Sequence, residues 1–320
     1  AERVLDPELL KRLREDEAKT AFILASGSTN FGGICSWPNK DSRLTYGFKI
    51  LPLTLTPVYA GRIAQMCGAN DLVYTDASAC ASSLKVMTDV YDLITYKGFD
   101  RVCVLGVEDT INDKVLHFFG QSGACLTYED EESGLKPSAF DKRNGGFYVG
   151  QGAVFAVFES GRIAKSAHAR LLGAGMASEV STNAIGQRED GQGFVNAAAQ
   201  AFRNAQLNPI DIGVVKTHGT GTAMNNQSEK AALNYCLQDF IATSFKPTIG
   251  HTMGASGLLE TILLLDNIQN GFVPPIQNRT EKDQVFLSDP APAEKGGLVM
   301  SLAAGMGNIY SAAIFKDAQC

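Results

Sequence analysis

Short apolar runs alternate with amphipathic segments along most of the chain. Each apolar run is bounded by glycine or polar residues, as buried strands usually are, and the segments between the runs carry apolar residues at helical spacing. Strands that alternate with helices of about 10–16 residues predict a parallel or mixed sheet with helices on its faces. The fold class predicted from the pattern is therefore α/β.

The pattern restarts after Gly161, which predicts a pseudo-duplication into two similar halves, residues 1–160 and 161–320. Asp6 and Pro7 are typical of a helix start, and a polar, turn-rich stretch covers residues 29–46. Further helices are predicted at 57–68, 81–96, 110–119, 194–205, 227–237 and 255–270. Strands are predicted at 21–26, 71–75, 101–107, 152–158, 169–172, 212–217, 298–303 and 310–315, with one more ending at Ile249.

The composition excludes several classes of protein. With 45% hydrophobic and 19% charged residues among 320, the chain is an ordinary globular protein rather than a disordered one. A net charge of −6 argues against a general nucleic-acid-binding face, and the longest apolar runs are shorter than the roughly 18–20 residues of a membrane span. The densely charged N-terminus does not resemble a signal peptide. Seven cysteines without CxxC spacing fit a reducing compartment, so we expect a cytoplasmic protein.

Cys80 is the first candidate for chemistry. It lies between a predicted strand and the first turn of a predicted buried helix, among small residues that allow a tight turn. A thiol at a helix N-terminus meets the positive end of the helix dipole, which favours the nucleophilic thiolate, and the backbone N–H groups there can form an oxyanion hole. The alternative is one more buried structural cysteine, which is a common environment for this residue.

Two of the four histidines have similar settings. His218 and His251 each follow a predicted strand and precede glycine-rich residues, and the C-terminal edge of a parallel strand is where α/β folds place functional groups. His117 and His168 lack such a setting and are interpreted as structural. The separations between Cys80, His218 and His251 match no zinc-ligand pattern, so no metal site is expected. A Cys/His hydrolase remains open on residue types alone.

Three segments together resemble the β-ketoacyl synthases, the condensing enzymes of fatty-acid and polyketide assembly. They are residues 76–83 (DASACASS), 218–222 (HGTGT) and 246–257 (KPTIGHTMGASG), and they occur in the family's order. The resemblance extends from about residue 21 to 316. It implies a thiolase-like fold, with two pseudo-duplicated halves and mixed sheets in an αβαβα layered arrangement. Further matches lie at residues 106–108, within 141–153, and at Glu229 and Glu260.

The resemblance implies a decarboxylative Claisen condensation with no separate cofactor. Cys80 would accept an acyl chain from the phosphopantetheine arm of an acyl carrier protein, and His218 and His251 would hold the malonyl thioester carbonyl. The N–H groups of Cys80 and Ala304 would form the oxyanion hole. Supporting positions are also implied: Lys246 organising the histidines, Glu260 and Glu229 as structural support, and Thr220, Thr222 and Met306 toward the pantetheine arm and the substrate.

The sequence departs from the family pattern at several places. The first strand of the N-terminal half is expected to be missing, replaced or provided by a partner. Ala304 stands where the family usually has a gating phenylalanine, so the gate is lost or taken over by Met306. Gln151 replaces a typical acid. The segment 128–132 (YEDEE) is acidic where the family is often basic and docks its carrier, so docking there is disfavoured.

The sequence therefore predicts a carrier-dependent ketosynthase that acts as a homodimer or as one subunit of a heterodimer. Two alternatives stay open: a non-catalytic partner subunit that sets chain length, and a Cys/His acyltransferase that does not decarboxylate. The presence of Cys80 argues against the first, because such partners usually lose the nucleophile. The presence of His218 and His251 argues against the second.

Overall fold

The computed structural model describes residues 4–28, 55–143, 145–179, 185–293 and 296–317. The predicted turn-rich stretch 29–46 lies outside these residues, as do Cys35 and Cys320. The predicted first helix is present as α1 (Pro7–Glu15), with the side chain of Asp6 accepting a hydrogen bond from the Glu8 N–H at 3.1 Å. Most of the other predicted elements are present within a few residues of their expected bounds.

The first sheet has the strand order β2-β1-β3-β4. β1 is parallel to β2 and β3, whereas β4 is antiparallel to β3, so the sheet is mixed as predicted. Its elements, with the helices between them, are β1 (Thr20–Ala25), α2 (Thr56–Met66), β2 (Leu72–Asp76), α3 (Ser82–Thr95), β3 (Arg101–Glu108), α4 (Asp113–Gln121), α5 (Tyr128–Glu132) and β4 (Gly152–Glu159).

The second sheet has the order β5-β11-β10-β6-β7, and its four strands β7, β6, β10 and β11 repeat the directions of β2, β1, β3 and β4. Here β5 pairs with the outer edge of β11, and the described residues of the first half contain no counterpart to it. The elements are β5 (Ala169–Ser178), α6 (Gln192–Ala205), β6 (Val214–Lys216), α7 (Ala223–Cys236), β7 (Ile241–Thr243), α8 (Lys246–Ile249), α9 (Ser256–Gln269), β8 (Phe272–Val273), β9 (Ala291–Pro292), β10 (Leu298–Gly305) and β11 (Ile309–Asp317).

Alternating side chains of the strands build a layered core. Along β1, Ile23 points to the helices α3 and α9 between the two sheets, while Phe22 and Leu24 pack on α1 and α2 outside. Helices α6 and α7 cover the outer face of the second sheet. The two central helices approach closely, because a Cβ at Gly257 would lie 2.6 Å from the Cβ of Leu84. The order is therefore helices, sheet, helices, sheet, helices.

Three boundaries differ most from the sequence-based predictions, and one of them is the end of β5 at Ser178, six residues beyond the predicted end at Leu172. The strand expected to end at Ile249 is wrong: β7 ends at Thr243, and residues 246–249 form the short helix α8. Pro247 has the fixed φ that suits the first turn of a helix, and it cannot donate to a sheet. Helix α7 starts at Ala223, four residues earlier than expected, because the hydroxyl of Thr222 caps it by accepting from the Asn225 N–H.

No helix among the described residues is long and apolar enough to cross a membrane.

Candidate active site

Cys80 lies where β2 passes into the central helix α3. A short 3-10 turn, Ala79–Ala81, joins the two, and Ala79 adopts a left-handed backbone conformation (φ 48°) that few non-glycine residues take. Asp76 accepts a hydrogen bond from the Ser78 N–H at 3.1 Å and so fixes the start of the turn. The strand end and the strained turn together aim the thiol at the second half of the chain.

The thiol of Cys80 is protonated at neutral pH. Burial raises the pKa of Cys80 to about 12; the charge of Lys246 lowers it and that of Glu108 raises it again. The sequence-based expectation of a thiolate is therefore wrong for the free protein, since loss of hydration raises the pKa of Cys80 more than the charge of Lys246 lowers it. Cys80 must lose its proton as it attacks.

His251 is held as a neutral imidazole of one tautomer. Its Nδ1 atom accepts a hydrogen bond from the Met253 N–H at 3.2 Å and lies 2.9 Å from the hydroxyl of Ser256. An Nδ1 that accepts from a backbone N–H carries no proton, so the proton of the neutral ring is on Nε2. Met253 also contacts Cys80, with 3.9 Å between the two sulfur atoms, and thereby connects the nucleophile to this histidine.

His218 lies beside His251, with 5.7 Å between the ring centroids. It begins a loop whose backbone is bound by the buried carboxylate of Glu229, which accepts from the N–H groups of His218 and Gly219. The Nδ1 atom of His218 has no hydrogen-bond partner in the part of the chain that the structure describes. A Cβ on Gly219 would lie 2.3 Å from the Ser244 hydroxyl, so this loop requires glycine.

Both histidines are neutral in this site. Burial lowers the pKa of His218 and of His251 well below the usual value, and the positive charges of Lys246 and Lys216 lower both further. Neutral imidazoles can donate a hydrogen bond without adding a net charge to the buried site. Two neutral donors side by side suit an oxygen on which negative charge develops.

Lys246 contacts the histidine loop through the backbone rather than through a ring. Its ammonium group donates to the carbonyl oxygen of His218 and to both oxygens of Glu260, at 2.9 and 3.2 Å. All three residues are buried. The ion pair of Lys246 with Glu260 holds the ammonium group in place, and its bond to the His218 carbonyl fixes the main chain from which the His218 ring projects.

The glycine-rich end of β10 lies against the turn that carries the nucleophile. A Cβ on Gly305 would lie 2.6 Å from the Ser78 carbonyl oxygen and 3.2 Å from the Ala81 nitrogen. Ala304 is buried next to it, while Met306 is half exposed in the turn before β11. The structure thus places Gly305, the neighbour of both residues, against the nucleophile turn, while the side chain of Ala304 packs in the core of the second half.

Gly305→Ala is expected to push β10 away from the Cys80 turn, since the added Cβ meets backbone atoms that cannot rotate aside. Overpacking of this kind costs about 1–3 kcal/mol of the free energy of unfolding, which urea denaturation would measure. Gly213→Ala is the matched control, because a Cβ there meets nothing within 4 Å. Equal unfolding midpoints for the two variants would contradict the close approach.

Thr220 and Thr222 stand together at the mouth of the histidine loop, with 3.0 Å between their hydroxyl oxygens. Thr222 already caps α7, whereas Thr220 has no such structural duty among the contacts of the described residues. The loop is also tied to the first half of the chain, because the Gly146 N–H donates to the Gly221 carbonyl at 3.2 Å.

Sequence reasoning missed several residues of the site. Met253 packs between Cys80 and His251 in a small cluster with Cys125 and Phe147, and Phe147 places its ring edge-on to His251 at 4.9 Å. The sequence offers little warning of these contacts. Lys216, a charged residue at the end of an apolar strand, was also missed, whereas Glu108 and Ser256 lie in matched segments but were assigned no role.

Glu108 joins two turns that come from different halves of the chain. Its carboxylate accepts from the Gly27 N–H at 2.7 Å and the Gly254 N–H at 2.9 Å, and thereby joins β1 to the turn that follows His251. Within the described ranges, no group of His, Cys, Asp and Glu side chains is arranged to hold a metal ion.

The fold and the site define a class: a duplicated, layered α/β protein with a cysteine and two neutral histidines where the halves meet. Two family models match the chain, the beta-ketoacyl synthase N-terminal domain at residues 5–164 and the beta-ketoacyl synthase C-terminal domain at residues 168–280. The chain belongs to the beta-ketoacyl synthase family, whose members are acyltransferases that form C–C bonds.

Curated relatives agree with the family models. A Streptomyces rimosus protein named as beta-ketoacyl synthase 1 of the oxytetracycline polyketide is 30% identical over 276 residues, which cover 81% of this chain and 63% of that protein. The chain thus spans less than two thirds of that relative. The 3-oxoacyl-[acyl-carrier-protein] synthase 2 of Vibrio harveyi is 25% identical over an alignment of 332 positions, which covers 98% of this chain and 79% of that protein.

Solved structures show the same fold. A type II polyketide ketosynthase, solved with its acyl carrier protein and a bound hexaketide, aligns with a TM-score of 0.86 at 19% identity and covers 98% of this chain and 81% of its own. The ishigamide ketosynthase/chain length factor aligns with a TM-score of 0.75 at 22% identity, over 94% and 76%. The predicted thiolase-like fold with two mixed sheets is thereby confirmed.

Proposed function

We propose that this protein is a ketosynthase that condenses an acyl group on Cys80 with a malonyl group carried by an acyl carrier protein. The observation that carries the proposal is the convergence of one nucleophilic thiol with two neutral histidines, one of which presents Nε2–H as a donor. A hydrolase has no need for two such donors beside its nucleophile, whereas an enolate oxygen does.

In the first step, Cys80 Sγ attacks the carbonyl carbon of the carrier thioester. A C–S bond to Cys80 forms, the C–S bond to the carrier's pantetheine breaks, and the thiol proton passes to the departing pantetheine sulfur. We assign the stabilisation of the tetrahedral oxyanion to the backbone N–H groups of Cys80 and Ala304. Because burial keeps the thiol protonated, the attack and the proton transfer must be coupled.

In the second step, the malonyl thioester loses CO2, and the electron pair of the broken C–C bond becomes an enolate. The Nε2–H of His251 and the ring of His218 hydrogen-bond the enolate oxygen, in a role worth a few kcal/mol per donor. The enolate carbon then attacks the acyl-Cys80 carbonyl, the C–S bond to Cys80 breaks, and the released sulfur takes up a proton from solvent water. We assign Thr220 and Thr222 to the pantetheine arm, with Lys246, Glu260 and Glu229 as supports.

The surroundings of the site support a protein partner. Helix α4 supplies Phe119 to the cluster around Cys80, yet Leu116 and Phe118 on the same helix are exposed, as is Tyr128 nearby. Exposed apolar residues in such a group are typical of protein interfaces. We therefore propose a homodimer or a heterodimer with a related subunit that covers this surface, and delivery of both substrates on an acyl carrier protein without a separate cofactor.

The acidic helix α5 places a constraint on carrier docking. Its carboxylates are exposed apart from Asp130, which forms a capping box with Thr127. An acidic carrier would be repelled here, so we propose that it docks on another face or on the partner subunit. We also propose a cytoplasmic location and the domain boundary near residue 160.

The two alternative functions predict different kinetics. A non-catalytic chain-length subunit would form no acyl adduct on Cys80 in any assembly. A Cys/His acyltransferase would form the adduct but would not release CO2 from a malonyl thioester. The presence of both buried histidines, held neutral by their surroundings, favours the ketosynthase over both alternatives.

The test compares acyl loading with decarboxylation in His251→Ala and His218→Ala. We expect each substitution to slow CO2 release from malonyl-carrier protein by about 10²–10³-fold, the loss typical of one oxyanion donor, and to slow Cys80 acylation much less. Radiolabelled CO2 release and intact mass measure the two steps. His168→Ala, at an exposed histidine away from helix α4, is the control. Equal slowing of the two steps, or unchanged CO2 release in both variants, would refute the assignment.

A further inference from the structure

Lys216 is a buried charge that the reaction above does not use. It is the last residue of β6, two positions before His218, and its side chain is fully buried. Its ammonium group donates to the carbonyl oxygen of Leu302 at 2.8 Å and to Glu260 Oε2 at 3.3 Å. Burial of a charged lysine costs hydration free energy, which its hydrogen bonds and ion pair must offset.

The contacts of Lys216 complete a continuous path across the site. Glu260 accepts from both Lys216 and Lys246, and Lys246 in turn donates to the carbonyl oxygen of His218. At the other end of the path, Leu302 lies on β10, two residues before Ala304. The path therefore runs from the strand that carries the proposed oxyanion-hole N–H to the loop that carries a histidine.

Among the described residues, no other ion pair or side-chain hydrogen bond joins the end of β10, residues 302–305, to the His218 loop. β10 and β6 are paired directly only from Val299 to Ser301, before β10 reaches the nucleophile turn. Beyond that point, the position of Ala304 relative to His218 depends on side chains. A lysine linked to one rigid carbonyl and one shared carboxylate is suited to set that distance.

We propose that Lys216 is a positioning residue, which links the β10 segment ending at Ala304 to the His218 loop through Glu260. This inference rests on the proposed function for its kinetic consequences, but the link itself does not. The charged and titratable groups that face Lys216 are Glu260, Lys246, Glu229, His218 and His251. Its positive charge also disfavours a second positive charge on either imidazole.

Lys216→Met tests the proposal, because methionine keeps an unbranched apolar side chain and removes the ammonium group. Histidine NMR titration is the first readout, since the chain has only four histidines and two of them, His117 and His168, are exposed references. We expect the titrations of His218 and His251 to move to higher pH by about one unit, and those of the references to stay in place. Lys216→Arg should restore most of the wild-type titration.

Kinetics provide the second readout. We expect Lys216→Met to lower kcat for CO2 release about 10–100-fold with little change in KM, and to move the acid limb of its pH profile upward. Arg101→Met is the matched control, because it removes a second buried cation that also lies on a strand. Arg101 is the first residue of β3, whereas Glu108, which contacts the site, is the last. The titrations of both site histidines should therefore stay unchanged.

The outcomes separate this inference from the proposed function. Unchanged histidine titrations in a folded Lys216→Met protein would overturn it, as would equal shifts in the Arg101→Met control. If Lys216→Met does not fold, Lys216→Gln takes its place, because the amide can still donate to Leu302. If the wild-type protein releases no CO2, the proposed function fails, while the NMR comparison still decides whether Lys216 is electrostatically linked to the histidines.

Discussion

Cys80→Ala is expected to eliminate the acyl adduct and to lower condensation by at least about 10³-fold. The Cys80 thiol is the atom to which the acyl group is bonded, and the methyl group of alanine cannot form that bond. Removal of a covalent nucleophile leaves only the contribution of binding and of the oxyanion hole. Intact mass after incubation with a panel of acyl thioesters measures the adduct, and product formation with malonyl-carrier protein measures condensation.

Cys125→Ala is the matched control for this experiment. Cys125 lies in the same small cluster as Met253 and Cys80. Its substitution by alanine removes one sulfur atom from that cluster and leaves the proposed nucleophile in place. We expect Cys125→Ala to keep the adduct and Cys80→Ala to keep its fold. An adduct of equal amount on Cys80→Ala would exclude Cys80 as the acyl acceptor.

Glu260→Gln is expected to destabilise the protein by about 3–5 kcal/mol at neutral pH. Glu260 is bonded to both Lys216 and Lys246, and all three side chains are buried. Removing its charge leaves two buried ammonium groups without that counter-charge, which is the costly way to break a buried ion pair. The unfolding midpoint in urea measures the loss.

The loss should shrink as the pH rises. Burial lowers the pKa of Lys216 to about 8, against about 10.4 in an unfolded chain. Between these values the unfolded state holds more protons than the folded state, so the free energy of unfolding rises with pH. The charge of Glu260 raises the pKa of Lys216, so its removal lowers that pKa further. The free energy of unfolding of the variant therefore begins to rise at a lower pH than that of the wild type. The difference between wild type and variant is therefore expected to be smaller at pH 9.5 than at pH 7.

Glu159→Gln serves as the control, because Glu159 binds the buried Arg101 from a partly exposed position and Asp16 binds the same guanidinium. We expect that substitution to cost less than about 1 kcal/mol. A Glu260→Gln protein as stable as this control at pH 7 would show that the two lysines do not depend on Glu260.

The local motifs were predictable where one short segment defines its own environment. The small residues around Cys80 predicted a tight turn between strand and helix, and the structure has that turn at Ala79–Ala81. His251 was placed at the end of a strand, and this was wrong, because Pro247 and the buried Lys246 turn residues 246–249 into a short helix. The expectation that Cys80 is a thiolate was also wrong, because its pKa depends on burial, which is a property of the assembled fold.

The amino-acid sequence alone was enough to predict the alternation of strands and helices, the duplication of the pattern and the residue types of the site. These follow from local hydrophobic periodicity and from motifs within single segments. The tautomer of His251 is fixed by its near neighbours Met253 and Ser256. The protonation of Cys80 and of the histidines, and the path from Lys216 through Glu260 to His218, follow instead from the assembled fold. They depend on dehydration and on contacts between residues 14–86 positions apart in the chain, such as Lys246 with Glu260 and Lys216 with Leu302. Distance along the sequence does not indicate which of these groups meet.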